Sequence, residues 1–396
     1  MMPELLAPAG DLERLKIALL YGADAVYIGG KIFGLRANAI NFSSEEMKEA
    51  VAFAHSLNKK VYVTVNMVLH NKEIKFLLDY LKELESIGID AIIASDLSVI
   101  SLALEKTNLE VHVSTQQSTL NYESVKYLKD LGVKRVVLGR ELSCKEIKNI
   151  QKVGLDIEIF IHGAMCASYS GRCVLSNYLT NRDANRGGCS QICRWDFDLL
   201  DSKFNEIKGD KNFTFCSKDL SLLKHIKDIC DMKVNSLKIE GRMRSTYYIA
   251  TVVSIYRKAI DNYYNGNKEY DESLEKVLSR VANRENIVQF FNGVYDETCN
   301  YYNNRVEVSN QDFLGVVLEY DKDIKLAKIE QRNYFKKGDY VEFFGPNKVI
   351  KYQIDEIFDC DMNKIDVVRH PKQIVYIKIT YELTVNDFMR INVDKT

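Results

Sequence analysis

Residues 90–114, DAIIASDLSVISLALEKTNLEVHVS, contain the repeating unit that decides the fold. The apolar run at residues 90–95 predicts a short buried strand, and residues 97–106 have the length and composition of a helix. A second apolar run, residues 110–114, follows after a short polar link. Two short apolar runs joined by a helix are typical of a parallel strand–helix–strand unit.

The same alternation continues on both sides of this stretch. Further apolar runs lie at residues 4–9, 25–29, 60–66, 135–139 and 156–162, and further helical segments at 44–57, 72–87, 122–131 and 144–153. Ser43 with Glu46 predicts a capping box. The spacing of apolar residues predicts one buried face for the next helix, made of Ile74, Leu77, Leu78, Leu81 and Leu84.

An eighth run, residues 236–240, precedes a long helical segment at 246–262. Eight units predict an α/β fold of the (β/α)8 TIM-like barrel type. The alternative is a doubly wound open sheet, which usually has a glycine-rich phosphate loop after its first strand. Residues 7–11, APAGD, are not such a loop. We therefore favour the barrel.

Two parts of the chain break the alternation. Residues 163–230 contain most of the cysteines, several arginines and the single tryptophan, whereas alternating segments after residue 305 predict antiparallel strands. We expect a barrel over residues 1–265 with a Cys-rich insertion at about 163–230, a helical connector over 266–305 and a small β-barrel domain over 306–396.

Composition sets limits on the class of protein. The chain has 396 residues, 54 Lys and Arg against 55 Asp and Glu, and 46% hydrophobic residues, which excludes a disordered or collagen-like chain. Contact with nucleic acid would need a local basic patch. We find neither a signal peptide nor an apolar run near the ~20 residues that span a bilayer. We expect a cytoplasmic protein without membrane contact, where structural disulfides are rare.

Four thiols fall within 28 residues: Cys166, Cys173, Cys189 and Cys193. The sequence between them is rich in Gly, Ser, Asn and Arg, so it is not a hydrophobic core segment. Four thiolates suit zinc or an iron–sulfur cluster. Structural zinc sites favour two closely spaced pairs, and only the last pair here is close. We favour a 4Fe–4S cluster; zinc, or unrelated core thiols, are the alternatives.

Basic and strand-end residues are the other candidates for function. Two basic segments, residues 166–195 and 233–258, suggest an anionic substrate such as RNA phosphate or a dicarboxylate, the alternative being a solvated charged face. His162 and Glu240 are candidate catalytic residues because each ends an apolar run, although a strand histidine is often a core residue. Other polar residues at strand ends are Asn66, Asp96, His112, Gln116, Arg140 and Lys238.

Residues 162–173, HGAMCASYSGRC, and 182–195, RDANRGGCSQICRW, resemble the signature of the collagenase-like peptidase family U32. ELLAPAG at 4–10, SKDL at 217–220 and LKIEGR at 237–242 match as well, so the resemblance covers essentially the whole chain.

Several bacterial members of that family are oxygen-independent hydroxylases with a 4Fe–4S cluster, acting on the tRNA wobble uridine, a ribosomal cytidine or ubiquinone precursors. The RNA-modifying members draw the hydroxyl group from prephenate metabolism. The resemblance implies cluster ligation by Cys166, Cys173, Cys189 and Cys193, with Cys216 or Cys230 as the alternative fourth ligand.

The leading hypothesis is a tRNA uridine hydroxylase. Arg172, Arg186, Arg242 or Arg244 would hold phosphate or carboxylate, the β domain would contact the tRNA, and the target base would turn out into the barrel mouth. A paralogue or partner protein could assist.

The alternatives are a U32-type peptidase, a hydroxylase of another RNA or small molecule, and a zinc-containing RNA-binding factor. The chain has neither the His-Glu-x-x-His nor the Gly-x-Ser-x-Gly protease motif.

Overall fold

A computed structural model describes residues 2–35, 41–207, 213–281, 284–293, 295–303 and 311–392. Eight parallel strands form a closed barrel, which confirms the predicted fold class. Those strands are β1 (Glu4–Pro8), β2 (Ala25–Gly29), β3 (Lys60–Val65), β4 (Ala91–Ala94), β5 (Glu110–Val113), β6 (Arg135–Val137), β7 (Asp156–Gly163) and, after the insertion, β10 (Ser236–Ile239).

Strand β10 closes the barrel. It pairs in parallel with β1, where Leu6 lies opposite Lys238, and also with β7, where Phe160 lies opposite the same lysine. The remaining barrel strands pair with their neighbours in sequence order. The carboxyl ends of all eight strands therefore meet at one face of the barrel.

Helices cover the outside of the barrel. They are α1 (Leu12–Leu20), α2 (Ser44–Ser56), α3 (Asn71–Ile87), α4 (Leu97–Lys106), α5 (Tyr122–Leu131), α6 (Cys144–Gln151), α8 (Ile226–Met232) and α9 (Thr246–Tyr264). The predicted capping box is confirmed, since Ser43 caps α2 and its amide is bound by Glu46. No helix within the described residues is long and apolar enough to cross a membrane.

The predicted face of α3 is partly wrong. Leu77, Leu81 and Leu84 are buried as predicted, but Ile74 and Leu78 are more than one-third exposed and Tyr80 is buried instead. The aromatic ring of Tyr80 packs against Phe33, in the loop after β2. Tertiary packing has therefore rotated the buried face of the helix toward the aromatic residue.

The barrel interior is partly charged. Leu6, Tyr27, Tyr62 and Ile93 form an apolar cluster inside it with small alanines. Next to these, Glu158, Lys238, Arg135 and His112 are buried on neighbouring strands. Buried charges cost free energy unless they are paired, so this interior requires a complete network of partners.

The described part of the insertion between β7 and β10 is irregular and has only short elements. It contains α7 (Leu175–Thr180), β8 (Phe213–Ser217) and β9 (Asp219–Ser221), with single 3-10 turns at Tyr169–Gly171, Ala184–Arg186 and Ile192–Arg194. After α9 follow α10 (Glu272–Val281), β11 (Asn286–Ile287) and β12 (Asn300–Asn303). The last strand pairs with β8, so the segment after the barrel contacts the insertion.

The C-terminal domain is an antiparallel β structure. Its strands are β13 (Phe313–Asp321), β14 (Leu326–Gln331), β15 (Phe335–Lys336), β16 (Tyr340–Gly345), β17 (Lys348–Gln353), β18 (Ile357–Phe358), β19 (Lys364–Ile365), β20 (Val367–Val368), β21 (Ile374–Lys378) and β22 (Phe388–Ile391). Eight of these strands form one sheet, and β15 pairs with β20 as a separate ribbon.

Aromatic side chains hold this domain against the barrel. Tyr247, at the start of α9, stacks on Phe313 with ring centroids 4.7 Å apart, and it also contacts Phe388. The hydroxyl of Tyr21, at the end of α1, donates a hydrogen bond to the Asn386 carbonyl at 2.7 Å and lies 3.1 Å from the Phe344 carbonyl. The domain is thus attached to the outer helices α1 and α9.

Candidate functional site at the barrel mouth

A cavity opens at the carboxyl ends of the barrel strands, between them and the insertion. Its empty space is about 1300 Å³ when the open mouth is included. Polar side chains from the strand ends line it: Asn66, Gln116, Arg140, Lys238, Glu240 and Arg242. In a barrel of this type the carboxyl ends of the strands are where ligands bind.

All four clustered cysteines line this cavity from the insertion side. Cys166 and Cys189 are exposed, whereas Cys173 and Cys193 are half-buried. Asn185 holds Cys173 in place, because its side-chain amide donates to the Cys173 carbonyl and accepts from the Cys173 amide. Burial, with Cys166 nearby, raises the pKa of the Cys193 thiol to about 11. The four thiols therefore surround one space.

The two alternative ligands lie in different places. Cys216 is completely buried in β8, where its sulfur is 3.5 Å from Nη1 of Arg284, and its charge contributes to the raised pKa of Cys193. Cys230 lies on α8, outside the cavity, and burial raises its pKa to about 11. Of the two, only Cys216 neighbours the cysteine group.

Four cysteine thiols are a donor set that suits zinc or an iron–sulfur cluster. In the described parts of the chain, no three His, Cys, Asp or Glu side chains converge so as to hold one metal ion. Four sulfurs bound to one zinc at about 2.3 Å would lie only about 3.8 Å from each other. A four-iron cluster binds each cysteine through a different iron, so it needs thiols spread around a larger space. Cys166, Cys173, Cys189 and Cys193 could hold such a group.

The inner end of the cavity is cationic and aromatic. Nζ of Lys238 lies 4.5 Å from the ring centroid of Tyr27 and 5.5 Å from that of Phe160. The Arg140 guanidinium lies 3.8 Å from the ring centroid of Phe160 as well. Nη1 of Arg242 donates to the hydroxyl of Thr64 at 3.1 Å. Cations at this end of the cavity favour an anionic ligand.

A buried network of ion pairs inside the barrel holds Lys238. Oε1 of Glu158 lies 2.8 Å from Nζ of Lys238, and Oε2 lies 3.2 Å from Arg135, which also pairs with Glu4. Burial alone would raise the pKa of the Glu158 carboxyl, but Lys238 and Arg135 lower that pKa to about 2. Burial lowers the pKa of Lys238, and Glu158 opposes this change. Glu158 therefore keeps a cation at the inner end of the cavity.

The predicted arginines have different surroundings. Arg242 lines the cavity and is buried. Arg172 is exposed beside it, with its Nε donating to the Gln116 carbonyl at 2.5 Å. Arg186 binds Glu73 at 2.8 Å and the Val68 carbonyl, so it fastens the insertion to α3.

Arg244 is also engaged by another element of the protein. Its Nη2 lies 3.4 Å from Oδ2 of Asp219, and its guanidinium lies 5.1 Å from the ring centroid of Tyr248. The structure therefore brings two of the four predicted arginines, Arg172 and Arg242, to the cavity or its edge.

The side chains of the two candidate catalytic residues lie in different surroundings. Glu240 lines the cavity, whereas His162 is 2% exposed and its ring packs between Tyr248 and Tyr256. Burial lowers the pKa of His162 to about 3, and Arg244 adds to this effect. A catalytic role for His162 stays a prediction that its position does not favour.

Gly163 makes the close approach between these two strands possible. It adopts φ +111°, and a Cβ there would lie 2.6 Å from the Glu240 carbonyl oxygen. Any other residue at position 163 would therefore push β10 and Glu240 away from β7.

Several cavity residues were candidates by position alone. Asn66, Gln116, Arg140 and Lys238 lie at or shortly after the carboxyl ends of strands, and the side chains of Asn66 and Gln116 bond each other at 2.8 Å. Asp96 instead caps α4, and His112 is buried inside the barrel against Tyr62. Tyr27 and Phe160 were missed. Their alternation with outward-facing residues along β2 and β7 is the signal that could have indicated them.

Comparison with known proteins decides the family. The family model described as peptidase family U32 matches residues 10–300, and the model of its C-terminal domain matches residues 309–390. The chain belongs to peptidase family U32. The resemblance seen in the Cys-bearing segments is thereby confirmed.

Named relatives in the U32 family differ in the activity that their names state. The tRNA hydroxylation protein P1 of Bacillus subtilis is 47% identical, with 98% of this chain and 94% of that protein covered. The 23S rRNA 5-hydroxycytidine C2501 synthase of Escherichia coli is 39% identical over 65% of this chain and 39% of its own length. A collagenase of Porphyromonas gingivalis is 31% identical over 89% of each chain.

Proposed function

We propose that this U32 protein hydroxylates the wobble uridine of tRNA to 5-hydroxyuridine, using a 4Fe–4S cluster and prephenate as the source of the hydroxyl group. The observation that carries the proposal is the meeting of four cysteine thiols and a cationic, aromatic inner end in one cavity. The near full-length relative named for tRNA hydroxylation supports the choice of RNA.

Cys166, Cys173, Cys189 and Cys193 would hold the cluster, which when bound would supply electron transfer. The chain's own task there is to fix the loops. Asn185 binds the backbone of Cys173, and the Asp183 carbonyl accepts from the amide of Gly188, next to Cys189, at 2.7 Å. Such loops are positioned before any ligand arrives.

The inner end of the cavity suits prephenate, a compact ring with two carboxylates. Lys238 and Arg242 would bind carboxylate oxygens through charge-assisted hydrogen bonds. Tyr27 and Phe160 would pack against the ring and exclude water around it. Because Lys238 is only 4% exposed, its charge acts with little screening by water.

The open mouth suits a base turned out of an RNA loop. The anticodon loop is single-stranded, so turning out its first base costs little stacking energy. Arg172 at the edge of the mouth would bind a phosphate, and Glu240 would accept or hold a proton of the uracil ring. Arg172 belongs to the insertion, and Glu240 directly follows β10.

The test is the nucleoside content of tRNA. A strain lacking this gene and any paralogue should contain no 5-hydroxyuridine by mass spectrometry, and the wild-type protein should restore it. Restoration should fail with Cys166→Ser and persist with Cys360→Ser, a change at an exposed thiol outside the cavity. Unchanged modification in the deletion strain would refute the proposal.

The U32 relative named collagenase keeps a peptidase as the second candidate. A cysteine peptidase needs a histidine beside its nucleophile. In the described residues, none of the side chains that line the cavity is a histidine. The purified protein should therefore leave gelatin and casein intact; cleavage that Cys166→Ala abolishes would favour the peptidase.

A further inference from the structure

A short ribbon in the C-terminal domain concentrates positive charge. Strand β15 pairs with β20, with Phe335 opposite Val368 and Lys336 opposite Val367. The Lys337 amide extends the ribbon by donating to the Asp366 carbonyl at 2.9 Å. We call the exposed basic residues of this ribbon and the turn after it the basic ribbon: Lys336, Lys337, Arg369, His370 and Lys372.

The basic ribbon is anchored from inside the domain. Phe335 and Val368 are completely buried in the apolar core of the domain. The turn after β20 is closed by a hydrogen bond from the Gln373 amide to the His370 carbonyl, and the Gln373 carbonyl accepts from the amide of Gln331. The cations are thus carried on a backbone that does not have to become ordered on binding, which limits the entropic cost.

Among the described residues, short ion pairs do not neutralise these cations. In the part of the chain that the structure describes, Lys336, Lys337, Arg369 and Lys372 form no ion pair. Other lysines of the same domain do, such as Lys322 with Glu382 at 2.5 Å. Residues 311–392 hold 13 Lys and Arg against 14 Asp and Glu, so the positive charge is local to the ribbon.

The acidic and aromatic neighbours of the ribbon are few. Asp339 and Asp366 are acids on its own segments, and the Asp339 carboxylate already accepts the Lys336 amide. Glu356 also lies near the ribbon, because its pKa is lowered mainly by Lys364 and in smaller part by Lys337. Tyr334 and Tyr340, next to the ribbon in sequence, are 51% and 43% exposed. Unpaired cations beside exposed rings match nucleic acid, whose phosphates bind the charges and whose bases stack on aromatic side chains.

We propose that the basic ribbon binds the phosphate backbone of the RNA substrate at a distance from the modified nucleotide. The cavity at the barrel mouth contains no residue of the ribbon, so this is a second contact. The inference rests on the proposed function for the identity of the RNA. Two separate contacts on one tRNA would fix its orientation and raise its affinity beyond that of a single flipped base.

The test compares two full-length triple variants. The ribbon variant is Lys336→Glu/Lys337→Glu/Arg369→Glu. The control is Lys106→Glu/Lys126→Glu/Lys145→Glu, which reverses three exposed barrel lysines that have no ion pair among the described residues. Both make the same change in net charge. If the first variant unfolds, Lys336→Gln/Lys337→Gln/Arg369→Gln removes the three charges without reversing them, and Lys106→Gln/Lys126→Gln/Lys145→Gln is its matched control.

Binding of a labelled tRNA transcript is measured at several salt concentrations. We expect the ribbon variant to lose about tenfold or more in affinity near 0.1 M salt, with the slope of log K against log salt reduced by about 3. The control should stay within about twofold of the wild type. Equal affinity and slope for the two variants would overturn the inference.

Failure of the inference and failure of the proposed function give different results. A wild type that restores 5-hydroxyuridine, with a ribbon variant that binds tRNA normally, removes the inference alone. A wild type that makes no 5-hydroxyuridine, with a ribbon variant that still loses tRNA affinity, removes the proposed function alone. If the ribbon variant no longer binds a partner protein but binds tRNA with unchanged affinity, the ribbon is a binding surface for that protein and the inference is overturned.

Discussion

Glu158 and Lys238 form a buried ion pair across two adjacent barrel strands, with 2.8 Å between Oε1 and Nζ. Glu158 is completely buried and Lys238 is 4% exposed. The pair connects the interior of the barrel to the inner end of the cavity. Its cation faces the ligand space and its anion does not, so structural support and binding are divided between the two residues.

Replacing the buried anion should destabilise the protein. Glu158→Gln leaves Lys238 and one side of Arg135 without their charged partner, so we expect the free energy of unfolding to fall by about 3 kcal/mol. Urea unfolding measures this change. The double variant Glu158→Gln/Lys238→Met should lose less than the sum of the two single changes; strict additivity would show that the pair is not coupled.

The contribution of Glu158 should disappear in acid. Its pKa is about 2 in the fold against an ordinary 4.5, with Lys238, Arg135 and His112 facing it. A carboxyl with a depressed pKa stabilises the fold above its unfolded pKa, and that stabilisation is lost as the pH falls from 4.5 through 2. The difference between wild type and Glu158→Gln in urea should be constant near neutrality and shrink below pH 4.5; a constant difference would contradict this.

Single substitutions should distinguish the four cavity cysteines from Cys216 and Cys230. After anaerobic reconstitution, Cys166→Ser, Cys173→Ser, Cys189→Ser and Cys193→Ser should each lose iron, sulfide and visible absorption. Cys230→Ser should keep them, because Cys230 lies on α8 outside the cavity. Cys216→Ser should also keep them, since Cys193 and not Cys216 lines the cavity. A colourless wild type containing zinc would contradict the choice of cluster.

Lys238 should determine affinity for the anionic co-substrate. Lys238→Met keeps the length of the side chain but removes a charge-assisted hydrogen bond, so KM for prephenate should rise about tenfold or more. Lys134→Met is the control, because Lys134 has an acidic partner at 3.6 Å but is exposed. An unchanged KM for Lys238→Met would exclude the inner end of the cavity as the carboxylate site.

His162 should contribute to stability and not to catalysis. Its Nδ1 lies 3.4 Å from the Tyr256 hydroxyl, and the ring is shielded from the cavity. We expect His162→Asn to lower the free energy of unfolding by about 1–2 kcal/mol, with activity per folded molecule within about threefold. A loss of activity above a hundredfold at unchanged stability would instead support the catalytic role predicted from its place at the end of a strand.

Period and capping signals predicted the barrel because they depend on neighbours in sequence. Ser43 and Glu46 stand three residues apart, and their capping box forms as expected. Ile74 and Leu78 also fit a helical spacing, but both are exposed. Tyr80 is buried instead, because its ring packs against Phe33, which is distant in sequence. Contacts of that kind are not visible in a local pattern.

The sequence predicted which residue types form the candidate site better than it predicted which acidic residues pair with its arginines. The thiols lie around one cavity, and Arg140 and Lys238 reach it from strand ends. Arg186 and Arg244 look equally basic in sequence, yet Glu73 and Asp219 pair with them in the fold. Whether a cation is available to a substrate depends on acids that the chain brings to it from far away.

The place of β10 in the chain has a consequence for synthesis on the ribosome. All four cavity cysteines are translated before Ser236–Ile239, the strand that joins β7 to β1. A nascent chain that ends before residue 236 therefore has its thiols but only an open sheet of seven strands. The emergence of one four-residue strand then completes the barrel next to these thiols.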